Sequence, residues 1–380
     1  MPTKYDIFAE VIEHAPCKAK DLKFKTRIYN HLKSLISDKW IKLETDNYLP
    51  VKSNETTAAF NIIKYCLKNG LDYNKFFSKN ILLVIKELFS NSYDLRPNKL
   101  KGNKENVELL QYLERNQFLL VAKKKPRRGL ILKHQLLQNI LDLHKDKFEI
   151  STNNYLNLKE EVMLLGFNEI NPFDNQVFSF LSGSAQLEGS TVTEGETKEI
   201  IMNDIYPDKP KKDVQMVKNL NEAMHYILEN LEEDITEEHI KELNKLVMFS
   251  MHRNAGKYKK NYNKIQGNPD FKTAHPSKVP EMMKIYCEEL EEIKNKIQCI
   301  EKTGYVHNEL QHIHPFSDGN SRTTRMVLNW MLLKHKIPLL VIKMGCFDEY
   351  MSLTKLSKKR DDKKLGELFN HILIHENLIN

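Results

Sequence analysis

The residue types best suited to chemistry are gathered in one run, His314-Pro315-Phe316-Ser317-Asp318-Gly319-Asn320-Ser321-Arg322-Thr323-Thr324-Arg325. A tight turn of Pro, Gly and Asn that feeds a helix leaves backbone N–H groups and the positive end of the helix dipole open to an anion. Arg322 and Arg325, three residues apart, share the first turn of that helix and can fork onto phosphate oxygens. Asp318, at the rim, suits a hard, oxygen-ligated cation such as Mg2+. His314, across the turn, can take a proton from an incoming hydroxyl. A base, a metal carboxylate, an anion nest and an arginine pair make up most of a phosphoryl-transfer site. No Gly-Lys-[Ser/Thr] is present in the run, so it is not a Walker loop.

The run resembles the signature of the Fic family, His-x-Phe-x-[Asp/Glu]-Gly-Asn-Gly-Arg-x-x-Arg, at every defined position but one. The resemblance covers about residues 175 to 375 and implies a protein adenylyltransferase, moving AMP from ATP onto a Ser, Thr or Tyr hydroxyl. It makes His314 the general base and gives Asp318 the Mg2+ that bridges phosphates. Asn320 and nearby backbone amides of Gly319 and Ser321 fall at the α-phosphate, with Arg322 and Arg325 on the outer ones. Phe316 points into the core and fixes the loop. The departure is Ser321, where the family has Gly. If that position needs only close backbone approach, Ser still donates its N–H; if it needs positive φ, Ser strains the loop by about 1–3 kcal/mol.

Upstream, Ser184-Ala185-Gln186-Leu187-Glu188-Gly189 resembles the family's inhibitory motif [Ser/Thr]-x-x-x-Glu-[Gly/Asn], and Thr191 to Thr197 continues its wording. The implied device is electrostatic: Glu188 pairs with Arg325 and takes the place of the γ-phosphate. The same resemblance makes Gly256 to Gly267 a β-hairpin flap that docks the target by strand addition, with Ile265, Gln266 and Gly267 at the docking edge.

These residues need elements to position them. Val306, Leu310 and Ile313 form the inner face of a helix that ends at the loop. Val327, Leu328, Met331 and Leu332 form that of the helix leaving it, which stops before Pro338. Val214, Val217, Leu220, Met224, Ile227 and Leu231 mark another helix, and Thr236 starts one whose apolar face is Ile240, Leu243, Leu246 and Val247. Near the N-terminus, Ile7, Phe8, Val11 and Ile12 make a first helix. Thr26 caps a second with Ile28, Leu32, Leu35 and Ile36 inward, and Trp40–Leu43 and Tyr48–Leu49 flank a turn at Asp46-Asn47. Helix, helix, hairpin is the winged-helix order. Gln117–Ala122 and Leu130–Leu132 form a second hairpin whose tip, Lys123 to Gly129, holds five cations.

The fold class expected is therefore mainly α: an all-α Fic core with a β-hairpin flap, preceded by a winged-helix-like α+β N-terminal region. The domains are 1–52, an intermediate segment 53–150 carrying the basic hairpin as a second winged-helix-like unit, and 151–380 with the inhibitory helix near 180–190. Charge divides along the same line. Residues 1–150 hold 28 Lys and Arg against 17 Asp and Glu, whereas the whole chain of 380 residues has 58 and 51. A basic front half on a mildly acidic back half suggests different partners for the two parts, DNA being the candidate for the first. The resemblance implies a protein substrate, with the chain itself a second acceptor and a homodimer admitted. The alternatives are a DNA-binding regulator with a nucleotide-sensing Fic module, or a deAMPylase or other nucleotidyl transferase. The five cysteines are scattered without a Cys-x-x-Cys pair, which argues against a disulfide framework and a zinc site. His307, His312 and His314 lack the spacing of a tight metal site. No signal peptide is read at the start, and the most apolar stretch, Met326 to Leu333, is too short to span a bilayer, so the expectation is a cytoplasmic chain with no membrane partner.

Overall fold

In the computed structural model, which describes residues 2–24, 28–90, 100, 103–148, 150, 155–265 and 267–379, the chain divides into two units. The first comprises Met1–Ser92, Pro97–Tyr112 and Lys133–Thr152. It opens on α1 (Lys4–His14), started by Thr3: the Thr3 hydroxyl accepts from the Asp6 N–H, and the Asp6 carboxylate accepts from the Thr3 N–H at 2.7 Å. Ile7, Phe8 and Val11 are buried, and α2 (Ile28–Ser37) buries Ile28, Leu32 and Leu35 but leaves Ile36 exposed. The expected cap Thr26, with Lys25 and Arg27, lies outside the described residues. A hairpin follows, β1 (Ile41–Glu44) with β2 (Asn47–Pro50) antiparallel. Its turn is Thr45-Asp46, one residue earlier than the sequence places it, because both residues take positive φ (47° and 68°) as a two-residue type I′ turn requires. Among the described residues the helices that follow are α3 (Asn54–Lys68), a single turn α4 (Tyr73–Phe76), α5 (Ile81–Ser90), α6 (Lys104–Arg115, whose last turn belongs to the other unit) and α7 (Gln135–Leu143), with α3 packed on α7.

The second unit comprises Tyr93–Arg96, Leu113–Leu132 and Asn153–Asn380. It holds a hairpin, β3 (Leu119–Lys123) with β4 (Arg128–Ile131), and the helices α8 (Lys159–Met163), α9 (Asn175–Gln186), α10 (Glu194–Asn203), α11 (Lys211–Glu229), α12 (Glu237–Val247), α13 (Val279–Glu291), α14 (Lys296–Ile313), α15 (Asn320–Lys334), α16 (Phe347–Leu353) and α17 (Asp362–Ile379). α14 lies between α15 and α17. Its approach to α17 depends on Gly304, where an added Cβ would stand 2.0 Å from Asp362 O. The expected inner faces of α14 and α15 are buried, as are Val217, Leu220, Met224 and Ile227 of α11. Thr236 caps α12 through the His239 N–H.

The hairpin that the sequence sets in an intermediate segment packs within this second unit. The reason is a buried polar clamp. His375 of α17 accepts the Val121 N–H on Nδ1 at 2.9 Å and donates from Nε2 to Glu114 O at 3.0 Å. Gln117 donates to Val341 O and Glu376 Oε1 and accepts from the Lys343 N–H, all at 2.7 to 2.8 Å. Val121, Gln117, His375 and Glu376 are nearly solvent-free, where an unmade hydrogen bond costs about 1–3 kcal/mol, so these bonds hold the hairpin in place. Its residues Lys123 to Arg128 are exposed, and Arg127 pairs with Glu114. All five cysteines are free thiols, and among the described residues no helix is long and apolar enough to cross a membrane.

Candidate active site

α14 ends at Ile313, and His314 caps it in the left-handed conformation (φ 49°, ψ 58°). Its Nδ1 lies 3.2 Å from Gln311 O. A carbonyl oxygen only accepts, so Nδ1 carries the proton and the neutral ring presents its lone pair at Nε2. Burial pushes this imidazole down to about 4; Lys259 and Lys355 add to the effect, and the Gln311 bond opposes it. At neutral pH His314 is an uncharged base. The other two histidines do different work: His307 Nε2 meets the Tyr350 hydroxyl at 2.8 Å, and His312 Nδ1 meets Asn308 O.

The loop after His314 is closed by its own side chains and by two distant segments. The Phe316 N–H donates to Asn320 Oδ1 at 2.9 Å, and Asn320 Nδ2 donates to Phe316 O at 2.8 Å. The Asn320 side chain therefore staples the loop. What it can still offer an anion is its backbone N–H, in the first turn of α15 where no intrahelical acceptor exists. Gly319 has φ 79°, and an added Cβ would stand 2.5 Å from Met248 Cγ, so both conformation and space demand glycine there. Ser321 sits inside the first turn of α15 and outside the left-handed region, which removes the positive-φ alternative and its strain.

Arg322 and Arg325 rise from the same turn; Arg325 is fully engaged, whereas the buried Arg322 Nε has no hydrogen-bond partner among the described residues. The Arg325 Nε donates to Ser184 Oγ, and its Nη2 donates to Ser184 O and to Glu188 Oε1, each at 2.9 Å. Arg325 also bonds the Tyr350 hydroxyl. Arg322 Nη2 lies 3.6 Å from Asp318 Oδ1. Glu188 stands in the turn after α9, its N–H bonded to Ala185 O at 3.0 Å, and three residues on the Thr191 N–H and hydroxyl donate to the Asp213 carboxylate at 2.7 and 2.9 Å. Burial alone would raise the Glu188 carboxyl, but Lys355, Arg325 and Arg322 outweigh it and hold it at about 2. It is an anion throughout the physiological range.

Asp318 is the loop's carboxylate, and its side chain is 57% exposed. Both of its protein contacts, the Gly319 N–H at 2.6 Å and Arg322, fall on Oδ1. One accessible carboxylate oxygen fits a Mg2+ that completes its shell with phosphate oxygens and water. Among the described residues, the one group of three candidate metal ligands is Glu10, Glu13 and His14, on α1 of the first unit. His314, Asp318, Gly319, Asn320, Ser321, Glu188, Lys264 and Ile265 line one cavity of about 570 Å³.

The segment expected as a β-hairpin flap is built otherwise. Among the described residues from 256 to 267 no two strands pair, and Tyr258 forms a single bridge to Phe316. Its polar groups go to the loop instead. The Lys259 N–H donates to Pro315 O at 2.8 Å, Asn263 Nδ2 donates to Phe316 O at 2.9 Å, and the buried Lys259 ammonium donates to Ile313 O at 3.2 Å and to the Thr273 hydroxyl. Ile265 is partly buried at the cavity, Gly267 takes φ 85°, and Gln266 lies outside the described residues.

Three residues of the site are absent from the sequence reading. Asn244 of α12 donates to Asp318 O at 3.0 Å and to the Thr323 hydroxyl, while its Oδ1 accepts the Gly256 N–H. A buried amide beside Leu243, on an otherwise apolar helix face, was its available signal. Lys259 is the buried member of a lysine run, and Lys355 follows α16; neither is distinguishable from a surface lysine by type or spacing.

Residues 234–332 match the Fic/DOC family. A 189-residue segment is 26% identical to the Protein adenylyltransferase Fic of Drosophila persimilis, covering 48% of this chain and 37% of that protein. The same identity and coverage of this chain hold for the Protein adenylyltransferase Fic of Drosophila melanogaster. The chain thus spans well under half the length of these relatives. Among solved structures, a Fic domain containing signaling protein from Bacteroides thetaiotaomicron superposes with a TM-score of 0.45 at 23% identity, over 58% of this chain and 88% of that one. Fic-1 of C. elegans superposes at 0.48 and 15% identity, over 94% and 91%.

Proposed function

Residues 234–332 are a Fic/DOC domain, and from that premise we propose that the protein moves AMP from ATP onto a protein hydroxyl and is held inactive by Glu188. The observation that carries the reading is the neutral His314, its Nδ1 committed to Gln311 O and its cavity shared with the N-terminal turn of α15. The Nε2 lone pair takes the proton of a Ser, Thr or Tyr hydroxyl as that oxygen attacks the α-phosphorus. The bond from the α-phosphorus to the bridging oxygen breaks, and pyrophosphate leaves. Backbone N–H groups of the first turn of α15 and the dipole behind them receive the charge that develops. Mg2+, held through Asp318, would neutralise phosphate charge. Relatives named as protein adenylyltransferases support the group transferred and the protein acceptor.

The inhibited state is the second part of the proposal. Arg325 is the guanidinium that should receive the outermost phosphate, and its Nη2 is taken by Glu188 at 2.9 Å. A carboxylate anion there competes directly with a phosphate anion. The test is Glu188→Gly incubated with Mg2+ and α-labelled ATP, with label followed on protein by gel and mass shift. Label in this variant, its absence in wild type, and its loss on adding His314→Ala are the outcomes expected. Silence of Glu188→Gly with ATP still bound would defeat the AMP reading and direct the search to UMP, GMP or phosphocholine.

A second reading, DNA binding by the N-terminal unit, is favoured by its order of helix, helix and two-stranded hairpin and by the basic charge of the front half. It requires fluorescence-polarisation binding to duplex DNA that falls steeply with salt. Binding no tighter than that of a lysine-rich control would end it.

A further inference from the structure

The Glu188 carboxylate is divided between two cations from different parts of the chain. Oε1 meets Arg325 Nη2 at 2.9 Å, and Oε2 faces Lys355 Nζ at 3.6 Å. The two cations are unlike in what else they do. Arg325 is 3% exposed and bound on other sides by both Ser184 groups and Tyr350, so its position is set. The Lys355 side chain is 21% exposed and lines the same cavity as His314, Gly319, Asn320 and Ser321. Its backbone is anchored, with Lys355 O accepting from Asn268 Nδ2 at 3.0 Å and the next N–H bonded to Met351 O at 2.8 Å. An anchored backbone thus carries a partly exposed ammonium at the rim of an anion site, and an ammonium is a point charge that pairs with an anion without the planar geometry a guanidinium demands.

We propose that Lys355 is a phosphate-binding residue of this site, holding the Glu188 carboxylate while the site is closed and an outer phosphate oxygen of the nucleotide once Glu188 has withdrawn. The inference rests on the reading of the site as an ATP site. Exchange between the two anions makes opposite demands in the two states. Removing the ammonium from the closed protein frees one Glu188 oxygen and weakens the block. Removing it from the open protein takes one cation away from the triphosphate.

The experiment uses the full chain in four forms: wild type, Lys355→Met, Glu188→Gly, and the double variant, each checked for an unchanged melting curve. Lys355→Gln stands in where the methionine variant does not fold. Equilibrium binding of Mg·ATP and of AMP is measured by calorimetry, without reliance on transfer. In the Glu188→Gly background, loss of the lysine should weaken Mg·ATP binding about tenfold, the scale of one hydrogen bond to a charged group, and leave AMP binding unchanged. Lys355→Arg should retain most of the affinity. In the Glu188 background the same loss should tighten Mg·ATP binding and raise basal labelling. Unchanged Mg·ATP affinity in the open background, or an equal loss for AMP, overturns the assignment. Weaker rather than tighter binding in the closed background overturns the exchange. If Glu188→Gly binds ATP but labels nothing, the transferase reading falls while the binding comparison still decides the role of Lys355.

Discussion

His314 owes its protonation state to its surroundings rather than to its residue type. Burial lowers it to about 4, so the activity of Glu188→Gly should show no acid limb near the ordinary histidine value of about 6.5 when followed from pH 5.5 to 8. A limb at 6.5 would mean a solvated imidazole and a different base. The alkaline side belongs to Lys259, whose ammonium burial lowers to about 8 and whose proton makes the bond to Ile313 O, one residue before the base. Activity should decline above pH 8, and Lys259→Arg, which stays charged, should move that decline upward. Glu188 behaves in the opposite sense to a pH switch. Its carboxyl is depressed to about 2, so its ionised form stabilises the fold above the ordinary carboxylate range, and that contribution is lost only as pH falls toward 2. Wild-type protein should therefore remain as silent at pH 5 as at pH 7.5 in the labelling assay. Labelling at pH 5 would show that protonation opens the site.

At the scale of elements, the loop is a suspended structure. α14 and α15 bracket it, but α12 and the segment from Tyr258 to Asn263 set its path through Asn244, Lys259 and Asn263. Gly319→Ala tests this directly, because the added methyl meets Met248 in a backbone conformation that alanine disfavours. It should cost about 1–3 kcal/mol of stability and abolish labelling in the Glu188→Gly background. A normal melting curve with intact labelling would show that the loop yields. Leu328, fully buried in α15, stands for the packing beneath: Leu328→Asp should lower the melting temperature sharply, since an unpaired carboxylate in an apolar core is among the costliest substitutions. The absence of a paired flap among the described residues has the same source as the loop's order. The Lys259 N–H, a backbone donor that a hairpin would use internally, is bonded to Pro315 O of the loop instead, beside the bridge from Tyr258 to Phe316.

For the molecule as a whole, the division of the chain decides what can be cut. The second unit includes residues 113–132, and Gln117, Phe118, Leu119 and Leu120 are fully buried in it. A fragment beginning at residue 151, the boundary read from the sequence, leaves His375 without Val121 and Glu114, leaves Glu376 without Gln117, and opens an apolar face. It should melt without cooperativity or fail to fold, whereas residues 113–132 joined by a short linker to residues 153–380, which omits the first unit's α7, should unfold in one transition. Equal calorimetric transitions from the two would contradict the clamp as a structural necessity.

Local patterns made much of this legible in advance. Apolar spacing marked α11, α12, α14 and α15, Thr236 marked a helix start, and the order of α1, α2 and the first hairpin could be read from turn chemistry. The cluster around His314 was visible because its members lie within a single turn of chain, so spacing alone brings them together. The rest depended on contacts between residues far apart in sequence, which no local pattern encodes. The tertiary fold decided that Asn320 staples the loop, that Ser321 sits in an unstrained helical turn, and that the segment after Gly256 pairs with the loop rather than with itself. It also decided that one lysine of a basic run is buried while its neighbours are solvated, and that the second hairpin is clamped by α17. Side-chain type fixes what a group can do. Burial and the partners that the fold supplies determine its charge, its free lone pairs and its place.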